Sequence, residues 1–266
     1  MNQFVTKLSA DLGVSWGLTL AYAVVTILVL VMCVVCLVLE IRVWWKYHQA
    51  NQTPISCDMT GIDAARFVLD KAGLTGVRVR RAGILREAIF GNYYNVFTNT
   101  IYLRSWLGKV DVKRSVTAVA LGVQKAGLAK LCQEGDRSTL ARNRLSIIAI
   151  FGPLLFIPVI LVGVALDFWL LGQAGAFALI CLLLGGLLLA VGFIVTLLNI
   201  PVEKKANRLA LEMMEQYGLA TGQELETIRG VYDAYIASYI AQFLLQVLRV
   251  VQWALEIAVK VQGKKD

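Results

Sequence analysis

The side chains able to do chemistry are few. There is a single histidine, His48, so no pair of imidazoles within the chain can share a metal. Five cysteines stand at positions 33, 36, 57, 132 and 181. Cys33-Val-Val-Cys36 has the spacing of a redox or metal pair. It sits inside an apolar run, as Cys181 does, and these three read as packed small hydrophobes rather than a disulfide framework. A packed thiol is the plainer reading of Cys132. Lys125 with a depressed pKa, beside Ser115 or Ser138, is the arrangement that offers an activated nucleophile, although neither serine lies in a recognisable nucleophile motif.

The elements that must position these groups are largely lipid-soluble. Apolar residues make up 58% of the 266, charged residues 17%, and the mean hydropathy is +0.67; ordinary globular chains have roughly 45–50% and 25%. A spanning helix needs about 20 apolar residues. Residues 18–39 qualify without a single charge and are followed by Arg42, Trp44, Trp45, Lys46 and Tyr47, the cationic and aromatic anchors of a membrane interface. The run is too long for a cleaved signal peptide, and no small-residue cleavage site precedes the anchors. Residues 146–166 form a second run, with Pro153 and Pro158 inside it. Residues 176–198 form a third, with Gly185-Gly186 for close helix packing. The short link from Asp167 to Gly175 makes these two a hairpin, and Pro201 is expected to end the third helix. Residues 230–260 are helical and mostly apolar. Ser238, Gln242, Gln246, Arg249 and Glu256 make one polar stripe, so this helix either lies in the interface or crosses with its stripe against protein.

Charge sets the orientation. Residues 40–144 hold 17 Lys and Arg against 8 Asp and Glu, a surplus of nine positive charges; the tail from 199 balances 8 against 8. Lys/Arg-rich loops stay cytoplasmic. The amino-terminal segment 1–17 is therefore expected outside, the middle domain inside, the hairpin tip outside and segment 201–229 inside. The surplus suits an anionic inner leaflet, so membrane lipids are expected partners. Nucleic acid is not, because no basic motif interleaved with aromatics is present. Nearly charge-free spans argue against transport.

The middle domain, 40–144, has the grammar of a small α+β unit. Thr60 and Asp63 predict a capping box opening a helix that Gly73 closes. Val77 to Arg80 alternates as a strand does, and Tyr93 to Leu103 reads as a hairpin around Phe97-Thr98-Asn99. Asp111 is expected to cap a long buried helix from Val112 to about Gln133.

Certain segments are more specific in combination. They are Met59-Thr60-Gly61, the Tyr94 hairpin ending Ile101-Tyr102-Leu103-Arg104-Ser105, the helix around Gly127, Pro201-Val202-Glu203 followed by Ala206-Asn207-Arg208-Leu209-Ala210, and the closing Leu-rich helix. Over roughly residues 57–255 this order resembles the YugP-like neutral zinc metallopeptidases of the bacterial cytoplasmic membrane. The resemblance implies a mainly α membrane protein: three transmembrane helices, a C-terminal amphipathic or spanning helix, and a small cytoplasmic α+β domain of zincin type.

In that family the buried helix carries His-Glu-x-x-His. Its histidines bind zinc, its glutamate acts as general base, and a glutamate after the hairpin is the third ligand. Aligned on Gly127-Leu128-Ala129, the first histidine falls on Gln124, the base on Lys125 and the second histidine on Leu128; only the third-ligand position is kept, as Glu203. A catalytic zinc needs three protein ligands, so this degenerate member is expected to bind no cofactor and to be a pseudopeptidase. Without zinc, Glu203 needs a partner. One reading pairs it with Lys125, whose ammonium then takes over the metal's electrostatic role; the other lets Lys125 reach solvent and pairs Glu203 with Lys204 or Lys205. The expected role is a structural, assembly or regulatory subunit whose partners are other membrane proteins, either an active paralogue or a larger complex. The alternative is a hydrolase with altered chemistry, or a metal site rebuilt from Cys132 and Glu203 with Cys57 or His48.

Overall fold

A computed structural model describes residue 6 and residues 14–106, 109–171 and 175–263. Most of the expected outer segment 1–17 and part of the hairpin tip therefore lie outside the described residues. The elements run α1 (Trp16–Gln52), α2 (Gly61–Lys71), β1 (Arg78–Arg81), α3 (Ile84–Phe90), β2 (Tyr93–Asn95), β3 (Thr100–Leu103), α4 (Val116–Gln133), α5 (Arg137–Leu171), α6 (Ala176–Gln216) and α7 (Gly222–Gln262). The chain divides into two compact units. One joins α1 up to Val43 with α7 from Ala237; the other is Trp44–Ile236.

In the first unit α1 and α7 run antiparallel, and the polar stripe of α7 supplies the contacts. Ser238 and Gln242 both hydrogen-bond Glu40, the latter at 2.7 Å. Arg249 donates toward Cys33 Sγ at 3.9 Å, Gln252 donates to Thr26 Oγ1 at 3.1 Å, and Gln262 accepts from the Ser15 N–H at 3.3 Å. Polar side chains thus join the two helices from end to end, while Leu30, Val34, Leu37, Val250 and Trp253 point outward. This is the arrangement expected where the outer medium is hydrocarbon and polar groups must find partners inside. All five cysteines are free thiols.

Three described helices, α1, α6 and α7, are long and apolar enough to cross a membrane. A fourth, α5, qualifies only as a bent pair, turning by 58° between Gly152 and Leu154. The expected second span over 146–166 thus lies in a helix that bends within it. The residue at the bend is Pro153, which has no N–H to donate to the helix. Pro201 does not end the third helix either. α6 continues through it to Gln216, because one lost hydrogen bond is tolerated where neighbouring helices pack around the gap. The segment 201–229 is thus the end of α6, a short turn and the start of α7.

The α5–α6 hairpin is closed by glycines. A Cβ on Gly152 would lie 2.9 Å from the Leu188 carbonyl oxygen, one on Gly163 2.7 Å from Cys181, and one on Gly185 2.7 Å from the Phe156 ring; Gly186 has nothing within 4 Å. Asp167 secures the tip. Although buried in α5, it accepts from the N–H groups of Gly175, Phe177 and Ala178 at 2.8, 3.0 and 2.7 Å, and so caps α6 from across the loop.

The second unit is built around α4, which is buried from Val116 to Ala129. Its Gly122 meets Gly61 of α2 so closely that a Cβ would sit 2.2 Å from the Gly61 carbonyl oxygen. The Thr60–Asp63 capping box opens α2 as expected, and Gly73 beyond its end takes a left-handed φ of 73°. The sheet has the order β1-β3-β2, with β1 parallel to β3 and β2 antiparallel to it. The first strand is shifted one residue from its expected start. α4 begins at Val116, not Val112, and its cap is Ser115, whose Oγ accepts from the Ala118 N–H at 3.3 Å. Asp111 is committed elsewhere: its carboxylate lies 3.0 Å from Arg81. Residues 115 and 116 meanwhile pair with the backbone at Pro54 and Thr53.

Of the expected membrane anchors, Arg42, Trp44 and Trp45 are exposed, Lys46 lies 5.8 Å from the Trp45 ring, and Trp44 stacks on His48 at 5.4 Å. Tyr47 turns inward instead and packs against the core.

Candidate functional site

α4 presents Gln124, Lys125 and Leu128 to the interior of the second unit, at 6%, 8% and 1% exposure. α6 brings Glu203, 3% exposed, against them. Its neighbours on the same face are Asn199 and Asn207, one helical turn either side. The start of α5 completes the cluster with Arg142 and Asn143.

Both oxygens of Glu203 are occupied. Oε2 accepts from Gln124 Nε2 at 2.8 Å, and the same amide donates its second hydrogen to Asn207 Oδ1 at 2.6 Å. Oε1 accepts from Arg142 Nη2 at 2.8 Å, while Lys125 Nζ lies 3.8 Å away. Arg142 spreads its other donors over Asn199 Oδ1 and Asn143 Oδ1, both at 2.7 Å, and Asn143 in turn donates to Cys132 Sγ at 3.3 Å. The result is one buried polar network linking α4, α5 and α6. Burial pushes the Lys125 ammonium pKa down; Glu203 opposes this, and Arg142 and Arg104 add to it. Burial likewise pushes the Cys132 thiol pKa up.

The structure therefore brings Lys125 and Glu203 together and places a second, closer cation between Glu203 and α5. Neither Lys204 nor Lys205 takes the carboxylate: Lys205 instead donates to Asp136 at 2.6 Å, and Lys204 lines a neighbouring cleft. Arg142 is not singled out by the sequence, where it is one of the seventeen cations of residues 40–144. The Asn199, Glu203, Asn207 repeat at four-residue spacing was the available signal for a polar face on α6.

A zinc ion does not fit these residues. Leu128 offers no donor atom, Lys125 and Arg142 are cationic, and the one carboxylate already accepts a hydrogen bond on each oxygen. Among the described residues no three His, Cys, Asp or Glu side chains come close enough to share an ion. His48 is bonded to Gln52 at 2.9 Å and Cys57 is partly buried, its thiol pKa raised by burial. Both candidate serines are engaged: Ser115 caps α4, and Ser138 supports the Asp136 cap of α5. Ser115 donates to Asn51 at 3.0 Å, and Ser138 donates to Asp136 at 2.7 Å.

A cleft adjoins the cluster. It has a volume of about 430 Å³ between α6 and α7 and is lined by Asn207 and Tyr232 together with Lys204, Arg208, Glu212 and Arg229. Tyr232 donates to the Ala120 carbonyl at 2.6 Å, fixing α7 against α4.

A family model described as "Putative neutral zinc metallopeptidase" matches residues 25–258. Comparison with curated proteins finds no match, and neither does comparison with solved structures. The match runs through both faces of the cluster and nearly the full series of helices, and the chain belongs to this neutral zinc metallopeptidase family.

Proposed function

We propose that this family member is a pseudopeptidase of the bacterial cytoplasmic membrane that serves as a structural, assembly or regulatory subunit of a membrane protein complex. Its α+β part lies on the cytoplasmic side, where the Lys/Arg surplus of residues 40–144 directs it. The observation that carries the reading is the saturated Glu203 carboxylate, held by Gln124 and Arg142 at 2.8 Å with Lys125 at 3.8 Å. In the aligned family positions, Gln124, Lys125 and Leu128 replace two ligands and a base. The ammonium and guanidinium supply the positive charge a metal would have supplied, and they tie together the helices that a metal would have tied. The outward-facing apolar helices offer the surface on which partner helices pack.

The test is gentle detergent extraction of the full chain, followed by elemental analysis, a casein-cleavage assay and identification of retained proteins. The expected result is far less than one zinc per chain, no cleavage, and a reproducible set of membrane partners. One tightly held zinc per chain, chelator-sensitive proteolysis, or a solitary monomer would overturn the reading.

A further inference from the structure

The short helix α3 is built inside out. Its one buried residue is its acid, Glu87 at 1% exposure, while Ile84, Leu85 and Ile89 are 66%, 74% and 39% exposed. An ordinary surface helix does the reverse. The inversion is held in place by design of the contacts. Glu87 Oε2 accepts from the N–H groups of Ser105 and Trp106, each at 2.9 Å, and Ser105 Oγ donates to the Ala82 carbonyl at 3.0 Å. The backbone at Ser105 and Trp106 is thereby clamped to α3, and the Trp106 side chain stands 66% exposed. Phe90 packs on Tyr93, Tyr93 on Tyr102, and Arg86 over Tyr102 at 5.0 Å.

The charge around α3 has one sign. From Arg78 to Lys109 the chain carries six cations and a single acid, the buried Glu87. Arg78, Arg80 and Arg86 are exposed, and Arg81 flanks the same strand-to-helix turn. Exposed aliphatic groups, a tryptophan and exposed arginines gathered in one short stretch of chain are the chemistry of an interfacial membrane contact: the apolar part enters the headgroup boundary and the guanidinium groups meet lipid phosphates. The apolar outer surfaces of α5 and α6, in the same unit, belong in a bilayer, so a lipid surface is always near. We infer that α3 and the Trp106 loop form a docking face for an anionic lipid surface, with Ile84, Leu85, Ile89 and Trp106 inserting and Arg78, Arg80 and Arg86 contacting phosphate. A partner protein covering this face would be expected to carry acids opposite the arginines; the headgroups supply that charge without one.

The test places an environment-sensitive fluorescent amino acid at Leu85 of the full chain in nanodiscs of phosphatidylcholine alone or mixed with phosphatidylglycerol. The expected result is a blue-shifted emission quenched by brominated lipid in the anionic discs, with the quenching lost at high salt and in R78E/R80E/R86E. The wild-type lipid and salt comparisons need no charge variant, so a misfolded triple variant leaves the outcome readable. Emission typical of water in both kinds of disc would overturn the inference. So would shielding that already exists in lipid-free detergent with a co-purifying protein, or shielding indifferent to salt and to phosphatidylglycerol.

Discussion

Replacing Arg142 by methionine asks which cation now holds Glu203. The carboxylate is 3% exposed, and the substitution leaves it one amide hydrogen bond and an ammonium 3.8 Å away. At an effective dielectric of about 20, Coulomb's law gives roughly 6 kcal/mol of gross attraction at the Arg142 distance and roughly 4 kcal/mol at that of Lys125. Desolvation offsets most of both, and more for Lys125, whose burial already lowers its pKa. Removing one partner of a buried pair costs about 3–5 kcal/mol, and Arg142→Met also strips the bonds to Asn199 and Asn143. The midpoint of heat unfolding in detergent should then fall by roughly 6–12 °C for about 3 kcal/mol lost. Lys125→Met should fall clearly less. Adding Glu203→Gln to Arg142→Met should recover part of the loss, because an amide no longer leaves a charge buried alone. If Arg142→Met melts with the wild type, or Lys125→Met proves the costlier change, the guanidinium is not what stands in for the metal.

The remaining expectations rest on single contacts. Gly122→Ala drives a methyl to 2.2 Å from the Gly61 carbonyl oxygen, so the α2–α4 seam must open at about 1–3 kcal/mol or more, read as a lowered melting temperature. Asp136 caps α5 through the Thr139 N–H at 2.9 Å and binds Lys205. Desolvation raises its pKa, but hydrogen bonds from Lys205, Ser138 and Thr139 outweigh this and hold the carboxyl well below its usual range. The folded pKa being the lower one, its stabilisation is complete above the unfolded value of about 3.9 and is lost as pH falls below it. The melting difference between wild type and Asp136→Asn should therefore be full at neutral pH and shrink on acidification. Finally, α7 pairs with α1 along its whole apolar length, so a reporter fused after residue 263 should lie on the same side of the membrane as one fused before α1. Opposite sides would mean α7 does not cross.

The sequence carried the helices and the capping box because those signals are local: charge-free runs of twenty residues, or a threonine three positions before an aspartate. It carried the polar face of α7 by periodicity, and its partner not at all, since Glu40, Cys33 and Thr26 sit in or beside a run whose composition hides them. The α4 start was misjudged by four residues because Asp111 and Ser115 are both good caps. The choice between them was made by Arg81 and by the Thr53–Pro54 backbone, both distant in sequence. Arg142 shows the same limit: composition counts it among seventeen cations, and only packing turns it, with Lys125, inward. Pro201 was read as a terminator from its intrinsic chemistry, which neighbouring helices override.

The seam between α1 and α7 sets an order of events during synthesis. Its contacts join residues 198 to 247 positions apart, so the earlier helix is made and inserted long before its companion exists. In that interval Glu40 has no hydroxyl or amide to meet it, and the bilayer gives none. The half-made chain must shelter that acid at the water boundary or against an insertion factor, and any product truncated before Ala237 keeps the exposed acid permanently.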